Sequence, residues 1–340
     1  MRNDILPALI TSRESAYNHP LPSISTRRNR GMFTRVLWVI ASLIGLSLLL
    51  TLSYLYYYAW TFTHPKIDPL FSNPMAAYQL SYSNIEFLSM DNNSHMNGWY
   101  IPSATSLSTA SKKTVIFSHG YAGNREEIWV PLYDLAQALH LHNYNVLMFD
   151  YGYVNRDQNP SRVVTAGVRE AGELLGAVRY AKQLGAEQIY IWGFSMGAGT
   201  ALQAALQHSE VDGMILDSTF LLQPNVLEHI VPNYYPHISK IFLPVVDSLL
   251  PFTGGVKLSR IPYDQVNSTN YSIPLFMIHG LKDTQAPFTI TTQIFEQQTH
   301  PRSELWLPPD RGHEMTYRFQ SEEYVERALS FLNQISQSAH

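Results

Sequence analysis

The sequence predicts an α/β domain, a mostly parallel sheet covered by helices on both faces, preceded by one membrane-spanning helix. Three observations carry this. Short β-rich apolar runs alternate with helix-spaced segments from about residue 80 to the C-terminus. One of those runs turns into a helix through Gly193, Ser195 and Gly197. Near the N-terminus, the run from Val36 to Tyr58 contains no charged side chain.

The chain has 340 residues and a formal net charge of -4, with no Lys/Arg-rich run beyond its N-terminus, which argues against nucleic acid as a partner. It has no cysteine, which excludes disulfides, thiolate metal sites and a cysteine nucleophile together. Residues 1–35 are polar, with Pro7, Pro20 and Pro22, and read as a loosely structured basic segment. Its arginines gather at Arg27, Arg28, Arg30 and Arg35. The uncharged run 36–58 that follows makes about 35 Å of helix, enough for one bilayer crossing. It ends in Tyr54, Tyr56, Tyr57, Tyr58 and Trp60, the composition of a membrane interface. A buried core helix is disfavoured, because the run is too long and is apolar on every face. A cleaved signal peptide would be shorter and would end in a small-x-small site instead of bulky aromatics. The expectation is an uncleaved single-pass anchor in the cell membrane. The preceding arginines predict a cytoplasmic N-terminus and an extracytoplasmic C-terminal domain.

Residues 59–80, with Pro65, Pro69 and Pro74, read as a linker, and 81–340 as the domain. Its opening strands are expected around Asn84–Leu88 and Gly98–Ile101, followed by a Ser/Thr/Ala-rich connection over 103–113. Thr114–Phe117 is a strand, Trp129–His142 has helical spacing, and Asn145–Phe149 is a strand. Val164–Leu184 is an amphipathic helix ending near Gly185. Ile189–Trp192 and Gly213–Asp217 are strands flanking the helix that follows Ser195. From about 218 to 263 the alternation stops and the segment is apolar, aromatic and proline-containing. It reads as a lid insertion, because the loops beyond the C-terminal edge of such a sheet are where ligands bind. The alternation resumes with strand Pro274–Ile278, helix Phe288–Gln298, strand Glu304–Leu307 and helix Glu322–Ile335.

Strand, Gly-x-Ser-x-Gly, helix is the nucleophile-elbow pattern. A Cβ at Gly193 or Gly197 would collide with a neighbouring element, while Ser195 is pushed clear of the sheet at a helix N-terminus. A serine needs a base and an acid that orients it. His313 follows the strand ending at Leu307, and Asp283 follows the strand ending at Ile278, so the order is Ser, Asp, His. Asp217 also ends a strand and is the alternative acid, with Asp150 behind it. Two backbone donors are needed for an oxyanion. The N–H of Met196 and the N–H of Tyr121, behind His119 and Gly120, occupy the expected places. His119 and His279 read as loop-holding residues. No His-Glu-x-x-His or comparable spacing occurs, so no metal or other cofactor is expected.

With His119-Gly-Tyr-Ala-Gly-Asn124, Gly193-Phe-Ser-Met-Gly197, His279-Gly-Leu-Lys-Asp283 and Gly312-His313 in that order, the chain from about residue 80 resembles an α/β-hydrolase. It is most similar to the serine aminopeptidase and monoacylglycerol-lipase-like branch, including membrane-anchored bacterial members. The resemblance implies an eight-stranded sheet and hydrolysis of an ester, thioester or amide through an acyl-serine. Where many relatives carry Asp-x-Arg-Gly-x-Gly, this chain has Asp150-Tyr-Gly-Tyr153 and no arginine there. The implied partners are a small-molecule or lipid-like acyl substrate and the membrane. Two other readings share the fold: a catalytically silent binding module and a serine peptidase.

Overall fold

The computed structural model describes residues 27–104, 111–127, 129–207, 210–234 and 239–337. Residues 1–26 of the expected loose segment 1–35, part of the 103–113 connection, and Tyr235 and His237 of the lid lie outside them, while 27–35 of that segment are helical instead of loose. The chain divides into two units at residue 53. The first unit is the N-terminal part of helix α1 (Arg27–Thr63), whose side chains from Gly31 to Leu50 are all exposed. Within Gly31–Thr63 an 18-residue window has a mean hydropathy of 2.3, and the stretch's length and composition suffice to cross a bilayer. The same properties fit a signal sequence.

The second unit, from Tyr54 onward, is built on eight strands: β1 (Ser83–Leu88), β2 (His95–Ile101), β3 (Lys113–Ser118), β4 (Asn145–Phe149), β5 (Gln188–Phe194), β6 (Gly213–Asp217), β7 (Leu275–Ile278) and β8 (Glu304–Trp306). They form one sheet in the order β1-β2-β4-β3-β5-β6-β7-β8. The first two are antiparallel to their neighbours and the rest are parallel. Parallel strands need crossovers, and helices lie between them. The helices after α1 are α2 (Pro74–Tyr78), which precedes β1, then α3 (Leu132–Leu141), α4 (Glu170–Gln183), α5 (Met196–Ala205), α6 (Pro224–Tyr234), α7 (Leu243–Leu249), α8 (Tyr263–Ser268) and α9 (Thr289–Phe295) between strands, and α10 (Thr316–Phe319) and α11 (Ser321–Ser336), which follow β8.

Alternation along the strands divides the core between the two faces. Ile189, Ile191, Met214 and Leu216 pack under α4, α5 and α9. Tyr190, Trp192, Phe194 and Ile215 pack under α3 and α11. The five central parallel strands therefore have no solvent face, which is why they read as unbroken apolar runs.

Several elements differ from the sequence expectation. Helix α4 begins at Glu170, six residues after Val164. The Glu170 carboxylate instead accepts hydrogen bonds from Thr165 N (2.8 Å), Thr165 Oγ1 (2.6 Å) and Gly167 N (3.0 Å), holding a loop in which Ala166 and Gly167 both have positive φ. Helix α3 begins after Pro131, not at Trp129. The 59–80 stretch contains α2, whose first turn is capped by the Asn73 side chain accepting from Ala76 N.

Helix α1 also continues to Thr63, and its end packs on the domain. Leu55, Ala59 and Thr63, spaced four apart on one face, are buried. Thr63 Oγ1 donates to Thr253 Oγ1 at 3.0 Å, and Thr63 O accepts from Val164 N at 3.0 Å. Burying Leu55 alone is worth about 1.5–3 kcal/mol. A chain beginning at Tyr54 should therefore melt several degrees higher than one beginning at Pro65, at roughly 2–4 °C per kcal/mol for a domain of this size. Equal melting temperatures by differential scanning fluorimetry would contradict this packing.

Candidate active site

The turn between β5 and α5 sets the site. Ser195 has φ 50° and ψ −117°, a conformation an L-residue adopts only under constraint. Its carbonyl accepts from Ala198, Gly199 and Phe220 N–H, and its own N–H donates to Asp217 O at 2.9 Å. The glycines around it are sterically required. A Cβ on Gly193 would stand 2.7 Å from Ala198 Cα, and one on Gly197 would stand 2.0 Å from Ser118 O. Gly120 is a different case: a Cβ there would meet Ser195 Cβ, Glu127 and Glu314 at an ordinary 3.4 Å.

Ser195 Oγ lies 2.8 Å from His313 Nε2, and His313 Nδ1 lies 2.7 Å from Asp283 Oδ2. The second Asp283 oxygen accepts from Gln285 N and Ala286 N at 2.8 Å each. These three residues, on the loops after β5, β7 and β8, are brought together. Asp217 is not in this line. It is fully buried, accepting from Tyr324 Oη at 2.7 Å and from Ser218 Oγ at 2.9 Å. Ser218 Oγ in turn accepts from Glu314 N at 2.9 Å, so Asp217 anchors the backbone of the His313 loop.

Met196 opens α5, where the first N–H groups of a helix have no carbonyl of the preceding turn to bind. With Ser195 and Tyr121 it lines a cavity of about 280 Å³ that also touches Phe62, Phe220 and Ile230. A second, more polar cavity of about 200 Å³ lies on the other side of Ser195, bounded by Glu127, Trp129, His313 and Glu314. The loop carrying Tyr121 is held from several directions. Tyr153 Oη donates to Gly120 O at 3.2 Å, Tyr151 Oη bonds Ser118 Oγ at 2.5 Å, and Tyr151 N donates to His119 Nε2 at 3.2 Å. Asp150 pairs with Arg125, on the loop after β3, at 2.9 Å.

A family profile described as alpha/beta hydrolase fold matches residues 113–242. Among solved structures, the esterase Pf2001 of Pyrococcus furiosus is similar, with a TM-score of 0.63 and 24% identity, covering 80% of this chain and 98% of that one. The α/β-hydrolase GrgF from Penicillium sp. sh18 has a TM-score of 0.55 and 20% identity, covering 75% of this chain and 99% of that one. This chain has the α/β-hydrolase fold. Curated proteins also show sequence similarity. The uncharacterized protein YfhR of Escherichia coli (strain K12) is 24% identical over 262 residues, 74% of this chain and 82% of that protein. The lysophosphatidylserine lipase ABHD12 of Danio rerio is 27% identical over 214 residues, 60% of this chain and 51% of that protein, so the match spans about half of the lipase.

Within this α/β-hydrolase site, three residues escaped the sequence reading of the chemistry. His279 was expected only to hold a loop. It does so through Thr291 Oγ1 (2.6 Å) and Ala286 O (3.1 Å), but its Nε2 also lies 3.0 Å from Asp283 Oδ2. Glu127 and Glu314 carried no motif, although Glu314 directly follows His313. Both carboxyls are buried beside Gly120, and Glu127 accepts from Gly120 N at 2.6 Å. Burial pushes Glu127 up to about 7, against the Gly120 N–H and the His313 charge, and pushes Glu314 up to about 8, against the His313 charge.

Burial opposes the charged form of His313, but the hydrogen bond to Asp283 and the negative charges of Glu314, Asp283 and Asp217 outweigh it and raise its pKa to about 9. Burial likewise opposes the Asp283 carboxylate, and the hydrogen bonds from His279 and His313 overcome it and hold the group below the usual carboxylate range. A raised histidine pKa stabilises the fold fully below the unfolded value of about 6.5. That contribution is lost as pH rises towards about 9. In a histidine NMR titration, the His313 midpoint should lie well above 6.5 and fall back towards it in Asp283→Asn. A wild-type midpoint at or below 6.5 would contradict the assigned balance.

Proposed function

We propose that this chain is a membrane-anchored serine hydrolase that cleaves an acyl ester, thioester or amide through an acyl-enzyme on Ser195. The observation that carries the reading is the continuous line from Ser195 Oγ through His313 to Asp283, with links of 2.8 and 2.7 Å. A serine hydroxyl gains nucleophilicity only when a base can take its proton as it attacks. In its neutral form His313 takes that proton at Nε2, and Asp283 fixes the other ring nitrogen as a donor and stabilises the imidazolium. The N–H groups of Met196 and Tyr121 receive the carbonyl oxygen as it becomes negative, a role in which one donor is typically worth about 10²–10³ in rate. His313 returns the proton to the leaving group, and water then repeats the cycle to free the acyl group.

An ester is the favoured substrate. The names of the similar proteins, a lysophosphatidylserine lipase and an esterase, support this, as do the two unlike cavities meeting at Ser195, which suit an apolar acyl part and a more polar leaving group. The uncharged run in α1, with arginines before it, supports a catalytic domain exported across the cell membrane on an uncleaved anchor.

Steady-state kinetics on short esters test the roles. Ser195→Ala should abolish turnover. Asp283→Asn should lower kcat by about 10³–10⁴-fold, the scale of losing a triad acid. Asp217→Asn should lower stability more than turnover, because Asp217 holds Tyr324 and Ser218. An active Asp283→Asn beside a folded but inactive Asp217→Asn would refute the assignment.

A further inference from the structure

The cavity at Ser195 does not end at the lid. Phe62, in the last turn of α1, and Ile230, in α6, line that cavity and also a second one beyond it. The second cavity is narrow, about 70 Å³, and its wall includes Tyr58, Leu227, Val246 and Leu250. The one charged side chain among its described lining residues, Asp247, has its carboxylate engaged by Leu258 N at 2.6 Å. The two cavities adjoin at Phe62 and Ile230, and a path through both would run between helices α6 and α7 on one side and the end of α1 on the other.

The end of α1 is also joined to the loop beside Ser195. The rings of Phe62 and Tyr121 stack with centroids 5.7 Å apart, and Tyr121 Oη donates to Phe62 O at 2.9 Å. Tyr58 and Phe62 belong to the helix whose preceding residues make the uncharged run. The chain therefore uses one continuous helix both for its apolar run and for a wall of the cavity at Ser195.

We propose that this path holds the acyl chain of a long-chain ester, with Tyr58 and Phe62 of α1 as part of the acyl-binding wall. The inference rests on the serine-hydrolase reading and adds the substrate class: a linear, unbranched acyl chain of lipid length. The small volume of the second cavity, about 70 Å³, favours the end of a linear chain over a ring or branch. The apolar lining selects for methylenes, each of which gains roughly fourfold in binding when fully buried. The end of α1 is a specificity element here, so changes in it alter chain-length preference instead of acting only on membrane attachment.

The test is the ratio of kcat/KM for dodecanoyl over butyryl p-nitrophenyl ester, measured on the full chain in detergent. The wild type should favour the longer ester. Val246→Trp, which fills the second cavity, should lower that ratio by about tenfold or more, the value of two or three buried methylenes. Tyr58→Ala, which removes wall from the same path, should lower it in the same direction by a few fold. A measurement on the unaltered chain keeps the inference testable if a variant fails to fold: dodecanoate should inhibit butyryl-ester hydrolysis at concentrations where butyrate does not. If none of the acetyl, butyryl and dodecanoyl esters is hydrolysed, the hydrolase reading falls and the inference falls with it. If they are hydrolysed but the wild type disfavours the long ester, folded Val246→Trp leaves the ratio unchanged, or dodecanoate and butyrate inhibit alike, the acyl path alone is overturned.

Discussion

The backbone at Ser195 stands at positive φ because its neighbours leave it no alternative, and the rest of the site depends on that constraint. Gly197 brings the first turn of α5 against the carbonyls of Ser118 and His119, closer than any side chain would permit. That approach ties the end of β3 to the end of β5, so the loops carrying Tyr121 and Ser195 are positioned by one contact. Ser195 O accepts three backbone N–H groups, and Ser195 N reaches across to β6. The cost of a strained residue, of order 1–3 kcal/mol, is met by this over-determination.

Electrostatics around His313 follow from the same geometry. Four carboxyl groups, those of Asp217, Asp283, Glu127 and Glu314, are buried at one edge of the sheet. Only Asp283 is fully supplied with donors, which keeps it ionised against its burial. The others lie where burial favours the neutral acid. In the proposed mechanism this division makes Asp283 the partner that carries charge for the imidazole, while Asp217 braces the loop through Ser218. It also means that the low-pH limb of the proposed catalysis is set by a group of interacting sites, not by His313 in isolation.

Much of this architecture was legible in the residues. Buried parallel strands have no solvent face, so their composition alone marked Thr114–Phe117, Asn145–Phe149 and Gly213–Asp217 as strands. The glycines around Ser195 and the order of Ser195, Asp283 and His313 depend on local spacing, which a sequence displays directly. What was not legible depends on contacts between distant segments. The start of α4 was misplaced because Glu170 satisfies the loop before it, a choice that periodicity does not register. Arg125 reaches Asp150 from another loop, and Glu127 and Glu314 meet only when the loops after β3 and β8 are folded together. The docking of Leu55, Ala59 and Thr63 was hidden because those residues fit an apolar span equally well.

The central claim is that Ser195 is an activated nucleophile, and covalent capture tests it most directly. The full chain would be treated with a fluorophosphonate, digested and mapped by mass spectrometry, beside Ser195→Ala. The account predicts one adduct per chain, on the peptide containing Ser195, and none in the alanine variant. A folded wild-type chain that takes up no probe, or that carries it on another residue, would contradict it.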